Sequence, residues 1–168
     1  DIAYNYGMFD FAEPGFLGRF LQGEMLYWMA PIEMARMVEV YRQENRTITA
    51  QRLNLTGAQK VELQRFLQTN ALPENRYYRY DYYRDNCSTR VRDALDRTLR
   101  GQIQAALEGR PTDVTYRSEA LRLTAHAPAA NTGLQLALGG LADTRLNAWQ
   151  ETFIPMALAE HVRSVRVI

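Results

Sequence analysis

The stretch "YDYYRDNCSTRVRD", Tyr80 to Asp93, contains Cys87, the single cysteine of the chain. Asn86 is a residue that favours the N-cap position, so the pattern predicts a helix from Asn86 to about Arg100. Apolar or small residues recur at helical spacing after the cysteine, at Val91, Ala94, Leu95, Thr98 and Leu99. Because Cys87 lies four residues before the first of these, we expect the thiol at the first turn, on the buried face.

Charged residues occupy most other positions of this predicted helix. They form three i, i+4 pairs, Arg92 with Asp96, Asp93 with Arg97, and Asp96 with Arg100, which is typical of a solvated face. The tyrosine-rich residues 76–83, "RYYRYDYY", predict a strand before the helix.

Alternating tyrosines and arginines can also form a platform on which nucleic-acid bases stack. The net charge of +1 and the neighbouring Asp81 and Asp85 argue against that interpretation, and no nucleic-acid partner is predicted.

Two interpretations of Cys87 remain open at this point. The first turn of a helix presents unpaired N–H groups and the positive end of the helix dipole, so the pKa of Cys87 is expected to be lowered and the thiolate to be a nucleophile. The same N–H groups can form part of an oxyanion hole. Alternatively, Cys87 is a small buried apolar residue.

The expected partner of a nucleophilic cysteine is a histidine, and the chain offers His126 and His161. Neither is tied to Cys87 by spacing, so no general base is assigned. No clustered histidines and carboxylates occur at metal-ligand spacing, so neither a metal nor a cofactor is predicted.

Composition and length predict a single domain, residues 1–168, with a substantial core. The chain is 46% hydrophobic and 23% charged, and one cysteine excludes an internal disulfide. No apolar run reaches the roughly 20 residues that span a bilayer. The chain opens at Asp1 with a β-like alternation and no initiator methionine, so we expect that a preceding segment with an N-terminal strand belongs to it.

The remaining patterns predict an α+β fold with a helical C-terminal part. Strands are expected at residues 2–6, 25–30 and 46–55. Helices are expected at 12–24, at 31–44 from Pro31, at 57–70 after the capping box of Thr56 and Gln59, at 118–127 before Pro128, at 131–140, and once or twice within 147–168; a short helix and a turn are expected within 102–113.

Five segments occur in an order that resembles a known family: "YNYGMFDF", "QENRTITAQRLNLT", "YRYDYYRDNCSTRVRD", "NTGLQLALGGLAD" and "WQETFIP". They resemble the periplasmic domain of lipoprotein intramolecular transacylase-like proteins of the bacterial envelope. The resemblance spans nearly the whole chain, and "DNCSTRVRD" is its most specific part.

This resemblance implies a permuted papain-like core of the NlpC type, with a small antiparallel sheet packed against helices. Cys87 matches the nucleophile, and the family's histidine lies in a Gly-His motif just before "YNYG", outside the sequence given. Asn5 is the candidate for orienting that imidazole, although it could equally be a strand-end amide bonded to backbone. Substrate contacts are expected from four neighbouring residues, Tyr4, Tyr6, Asn86 and Ser88.

The implied activity is acyl transfer on lipoproteins through a thioester at Cys87 in the periplasm, with the domain tethered to the membrane by segments outside the chain. The implied partners are a lipoprotein or other acyl substrate and a membrane surface, which the apolar residues 15–29 would help to contact. The alternatives are a thiol peptidase or amidase acting on cell-wall peptides, and a non-catalytic interaction domain. The oligomeric state is not predicted.

Overall fold

The computed structural model describes residues 1–10 and 25–166, and it shows an α+β fold as predicted. The helix expected at 12–24 lies outside the described residues. The chain divides into two compact units, Asp1–Arg100 and Gly101–Ile168, and each is described by itself below. That the chain forms one domain stays a prediction.

The first unit contains an antiparallel sheet of three strands in the order β1 (Ile2–Met8), β2 (Leu26–Glu33) and β3 (Tyr77–Arg79). Side chains of a strand alternate between its two faces, and this alternation places Met25, Tyr27 and Met29 in the core. They share the core with Tyr78 of the neighbouring strand β3. The strand predicted at 25–30 is therefore confirmed and runs three residues further.

Pro31 does not begin a helix as predicted, because it lies within β2 and pairs with Tyr4 of β1. The helix α1 begins only at Met34 and ends at Gln43. Proline lacks the backbone N–H with which a residue of a central strand bonds a neighbouring strand, so it is found mainly where a strand has only one partner. It is tolerated here because β3 pairs only with Leu26 to Trp28, so β2 is hydrogen-bonded to a single strand at Pro31.

The strand predicted at residues 46–55 is wrong, because this segment has no regular secondary structure. Gln51, Leu53 and Leu55 are half-buried in alternation, but none of the described strands pairs with them. The next prediction is confirmed: α2 (Gly57–Asn70) begins with a capping box in which Thr56 and Gln59 each accept the other's N–H.

The tyrosine-rich strand is shorter than the predicted 76–83, since β3 ends at Arg79. Asp81 ends it by accepting the N–H groups of Tyr83 and Arg84 on one carboxylate oxygen, at 2.9 Å each. An aspartate that bonds the following backbone in this way forms a turn. The turn delivers the chain to α3 (Cys87–Thr98), where the sequence predicted a helix.

The buried face of α3 differs in part from the prediction. Ala94, Leu95 and Thr98 are buried as expected, whereas Val91 is 39% exposed. Arg92 and Asp96, assigned to the solvated face, are each only 9% exposed. The buried face of the helix therefore includes these two charged residues. The Arg92 side chain is paired, since its Nε donates to Asp93 Oδ1 at 2.8 Å.

The second unit combines helices with a two-stranded antiparallel sheet. Its elements are α4 (Gln102–Leu107), β4 (Pro111–Thr115), α5 (Tyr116–Leu123), α6 (Pro128–Ala137), a 3₁₀ turn (Gly140–Asp143), β5 (Arg145–Asn147), α7 (Ala148–Glu151) and α8 (Pro155–Ser164). Its buried side chains include Ile103, Leu107, Ala120, Leu146 and Phe153.

The C-terminal part is mainly helical as predicted, and β4 and β5 add a small sheet there that was not predicted from the sequence. Pro111 and Asp113 are residue types depleted in strands, and β5 has only three residues, so neither strand had a recognisable pattern. Thr112 Oγ1 donates to the Leu146 carbonyl at 2.7 Å and joins the two strands beyond their backbone pairing.

Candidate active site

Asn86 fixes the start of α3 and hence the position of Cys87. Its Oδ1 accepts the N–H of Ser88 at 2.8 Å and that of Thr89 at 2.9 Å. In return, Thr89 Oγ1 accepts the Asn86 N–H at 2.8 Å, and Asn86 Nδ2 donates to the Tyr82 carbonyl. The N-cap predicted from the sequence is therefore present as a reciprocal capping box.

This capping changes what the helix start can offer to a substrate. The Ser88 and Thr89 N–H groups, which the sequence suggested as oxyanion-hole donors, already donate to Asn86. Asn86 and Ser88 are also buried, each at 5% exposure or less. The structure thus gives both residues a place in the helix start, and their predicted contact with substrate stays a prediction.

Gly7 of β1 lies against Cys87. The pairing of β1 with β2 shifts register between Asn5 and Met8, and Gly7 in this irregularity has a φ of +91°. A Cβ atom added to Gly7 would lie 2.9 Å from Cys87 Cβ and 3.7 Å from Cys87 Sγ. Only glycine satisfies both the backbone conformation and the contact. The sequence analysis did not assign Gly7 to the site, although an isolated glycine in a strand is a signal of close approach.

A tyrosine cluster, which we define as Tyr6, Tyr27, Tyr78 and Tyr80, surrounds the same region. The rings of Tyr27 and Tyr80 are stacked at 4.1 Å between centroids, and Tyr78 lies 6.3 Å from Tyr27 and 6.4 Å from Tyr6. Tyr27 and Tyr78 belong to the buried core of the sheet, against which Tyr6 and Tyr80 pack. Of the tyrosines considered, and argued against, as a platform for bases, Tyr78 and Tyr80 thus lie in or against the core, whereas Tyr77 and Tyr82 are exposed.

Burial raises the pKa of all four phenols of the tyrosine cluster. In three of them, Tyr27, Tyr78 and Tyr80, the negative charge of a Cys87 thiolate raises the pKa further. The coupling places the three hydroxyls near the thiol. Because the pKa of each is raised above the ordinary value of about 10, all three are neutral at physiological pH. A neutral phenol can donate a hydrogen bond but does not accept the proton of a thiol.

The pKa of Cys87 itself is raised, contrary to the sequence-based expectation. Burial is the largest cause, and it outweighs the lowering by the backbone N–H groups of Ser88 and of Cys87 itself. The predicted stabilisation by the helix start therefore exists, but desolvation of the charged form is stronger. At neutral pH the resting Cys87 is a thiol.

Arg90 and Asp85 form an ion pair at the edge of the tyrosine cluster. Arg90 Nη2 donates to Asp85 Oδ2 at 2.6 Å and Nε donates to Asp85 Oδ1 at 2.5 Å, the bidentate geometry of an arginine with a carboxylate. The guanidinium lies 4.4 Å from the centre of the Tyr78 ring. Arg90 was assigned by sequence to the solvated face, yet it covers the ring of a core tyrosine.

The remaining predicted site residues lie on β1. The Asn5 side chain donates to the Ala3 carbonyl at 3.3 Å, and Tyr6 packs against the core. Tyr4 pairs with Pro31 in the sheet. Within residues 1–10 and 25–166 no hydrogen bond joins Asn5 or Tyr4 to Cys87, and their catalytic and binding roles stay predictions.

Neither histidine belongs to the unit that contains Cys87, because the only histidines are His126 and His161. His161 Nε2 on α8 lies 2.8 Å from Glu151 Oε2 of α7, so this imidazole is paired with a carboxylate inside the second unit. The described residues hold no group of three potential metal ligands. An open cleft of about 660 Å³ in the second unit is lined by residues of β4 and β5, with no cysteine or histidine among them.

The fold and the site define an α+β protein in which a helix start holds a half-buried, neutral thiol against the bulge of a three-stranded sheet. A family model, the Lnb N-terminal periplasmic domain, matches residues 1–122 of this chain. The chain belongs to that family. No curated protein and no solved structure matches the chain significantly.

The family confirms the periplasmic location predicted from the sequence. The match begins at residue 1 and ends in α5, so it includes Cys87, Gly7 and the tyrosine cluster. In the part of the chain that the structure describes, no helix is long and apolar enough to cross a membrane.

Proposed function

We propose that this periplasmic domain is a cysteine-dependent acyltransferase of the bacterial envelope, with a permuted papain-like arrangement around Cys87. The observation that carries the proposal is the placement of Cys87 at a capped helix start, with backbone N–H groups of residues 87 and 88 near the sulfur and Gly7 against its Cβ. A thiol presented at a helix start beside an antiparallel sheet is the arrangement that the sequence resemblance implies.

The proposed reaction has two steps. The Cys87 thiolate attacks the carbonyl carbon of an acyl ester, a thioester bond forms, and the ester C–O bond breaks; the proton lost by the thiol ends on the released alcohol. The α-amino group of a lipoprotein then attacks the thioester, an amide forms, and the sulfur leaves and regains a proton. Covalent catalysis of this kind divides one difficult transfer into two easier steps.

The raised pKa of Cys87 defines what the first step needs. A neutral thiol is a poor nucleophile, so a proton acceptor must act as the substrate binds. The tyrosine cluster is neutral and Arg90 is cationic, so neither takes this proton. The proposal therefore uses the imidazole that the resemblance implies, as the general base that converts the resting thiol to thiolate only when an ester is present.

Burial of the thiol also suits an apolar substrate. Cys87 is half-buried among aromatic rings, and the Tyr27 and Tyr80 rings form a stacked apolar wall in its surroundings. An acyl chain lying along such a wall excludes water from the thioester, which protects it from hydrolysis before the amine arrives.

A non-catalytic interaction domain is the second candidate, favoured by one observation. The unit that holds Cys87 contains no histidine, and its thiol is protonated at rest. A buried cysteine without a base behaves as a small apolar residue. In that case substitution of Cys87 by alanine would leave both lipoprotein N-acylation and cell-wall peptides unchanged.

The test is mass spectrometry of lipoprotein N-termini from cells in which Cys87→Ala replaces the natural residue in the full-length protein. Acyl transfer predicts loss of the added N-terminal acyl chain, while the matched variant Val91→Ala, one turn along the same helix and exposed, keeps it. Unchanged N-acylation in folded Cys87→Ala overturns the proposal. Altered cell-wall peptides with normal lipoproteins would instead identify a peptidase or amidase.

A further inference from the structure

The second unit contains an uncharged stretch that the proposed chemistry does not use. Residues 123–142 hold no aspartate, glutamate, lysine or arginine, and His126 is the one histidine among them. The stretch includes α6 and most of the following 3₁₀ turn, and it lies beyond the residues matched by the family model. Its centre is the sequence "LQLALGGL", residues 134–141, which we call the apolar tip.

Two leucines of the apolar tip are turned into solvent. Leu136 and Leu141 are each 84% exposed, the highest values among the large apolar side chains of the described residues. Scattered exposed apolar residues are ordinary, but two almost fully exposed leucines within six residues of uncharged chain form an exposed apolar patch. They flank Gly139 and Gly140, where the chain passes from α6 into the 3₁₀ turn.

Arg117 of α5 forms hydrogen bonds with the backbone of the apolar tip. Its guanidinium donates to the carbonyls of Gln135 at 2.9 Å and Leu138 at 2.7 Å, and more weakly to that of Gly139 at 3.3 Å. It also forms an ion pair with Asp143, with Nε 2.6 Å from Oδ1. One side chain thus fixes both the end of α6 and the 3₁₀ turn.

The same contacts give hydrogen-bond partners to backbone carbonyls that would otherwise be costly to transfer into an apolar medium. Carbonyls at a helix C-terminus normally require water, and in a bilayer every such group must find a partner in the protein. Here Arg117 satisfies three of them, and the Gly139 carbonyl also accepts the Ala142 N–H at 3.0 Å. The cation itself is neutralised by Asp143, whose pKa is lowered by the pairing so that the carboxylate stays charged.

A lipid surface fits this patch better than a protein partner does. A stable protein interface buries about 800 Å² on each side, and two leucines offer only a small part of that area. Insertion into the boundary of a bilayer is driven by the burial of a few apolar side chains, while charged groups such as the Arg117–Asp143 pair can stay at the headgroup level. The domain also belongs to a periplasmic family, and membranes bound that compartment.

We propose that the apolar tip, residues 134–141, inserts Leu136 and Leu141 into the interfacial region of a lipid bilayer and so docks the domain on a membrane surface. Arg117 acts as the positioning residue that keeps the tip rigid, so that little conformational entropy is lost when the tip binds the membrane. This inference stands independently of acyl transfer at Cys87, because it rests on the second unit alone.

The first test uses the chain with phosphatidylcholine vesicles, which carry no net charge. In a flotation assay the wild-type chain is expected to bind, and each of Leu136→Ser and Leu141→Ser should lower the partition coefficient about tenfold. Val61→Ser, at an exposed apolar position of α2, is the matched control and should have no effect. Equal binding by wild-type protein and the Leu136→Ser, Leu141→Ser double variant overturns the proposal.

A second test reports insertion directly. An environment-sensitive fluorophore is attached at Leu136→Cys in a Cys87→Ser background, and its emission should increase and shift to the blue when vesicles are added. The same label at Val61→Cys should not respond. No response at position 136 overturns the proposal, as would a concentration-dependent dimer that the double leucine variant abolishes in the absence of vesicle binding.

Discussion

Gly7 and Cys87 are in such close contact that a methyl group on Gly7 would come within 2.9 Å of the Cys87 Cβ. The contact joins the irregular end of β1 to the first residue of α3, so strand and helix constrain each other at the thiol. Because Gly7 also has a φ of +91°, backbone conformation and packing both demand glycine here.

Gly7→Ala should destabilise the fold and displace Cys87. The substitution combines a disfavoured positive φ with an overlap against a fixed helix start, and we expect a loss of about 1–3 kcal/mol in the free energy of unfolding. Urea denaturation measures this loss, and the rate of thiol alkylation reports the displacement. Gly57→Ala, where nothing lies within 4 Å of the added carbon, should change stability by less than about 0.5 kcal/mol.

Asn86→Ala should remove the N-cap of α3. Loss of an N-cap acceptor costs about 1–2 kcal/mol, and the upper end applies here because Asn86 is buried and accepts two N–H groups. Asn86→Asp keeps the acceptor and should retain more of the stability in thermal unfolding. Its negative charge beside the sulfur should raise the pKa of Cys87 further, which slower alkylation would reveal; faster alkylation would contradict the geometry.

Tyr78→Phe should stabilise the protein. The Tyr78 hydroxyl is buried and no described residue forms a hydrogen bond with it; the Gly7 N–H faces it and lowers its pKa slightly without reaching hydrogen-bond geometry. Removing an unsatisfied buried polar group should raise the free energy of unfolding by about 1 kcal/mol. Tyr77→Phe, at an exposed position, is the control. A clear loss of stability in Tyr78→Phe would mean that the hydroxyl has a partner.

The raised pKa of Cys87 predicts a fall of stability at alkaline pH. Between the ordinary cysteine pKa of about 8.5 and the higher folded value, the native state keeps a proton that the unfolded chain has lost. Stability should therefore decrease as pH rises through this interval. Denaturation of wild type and Cys87→Ser at several pH values isolates the effect of the thiol together with its coupling to Tyr27, Tyr78 and Tyr80, which the serine variant lacks. A flat difference between the two would show that the folded pKa is not raised.

The sequence was most informative where local chemistry determines structure. The capping boxes at Thr56 and Asn86 placed two helices correctly, because their hydrogen bonds join residues three positions apart and need no distant partner. The position of Cys87 at a helix start followed from the second of these boxes.

It was least informative where a distant segment decides the outcome. Residues 46–55 alternate like a strand but have no pairing partner, whereas Pro111–Thr115 lacks the pattern and pairs with β5. Burial raises the pKa of Cys87, and its neighbours Gly7, Tyr27 and Tyr78 come from β1, β2 and β3, which helix-start chemistry alone does not include. Gly7 and Arg90 were missed for the same reason, since their contacts lie across elements.

The neutral state of Cys87 has a further consequence in the compartment where this family resides. The periplasm is oxidising, and residues 1–168 hold no second cysteine with which Cys87 could form a stable bridge. Peroxides and foreign disulfides attack the thiolate far more readily than the thiol. By holding the resting sulfur protonated and half-buried, the sheet slows sulfenic acid formation and capture in mixed disulfides at Cys87.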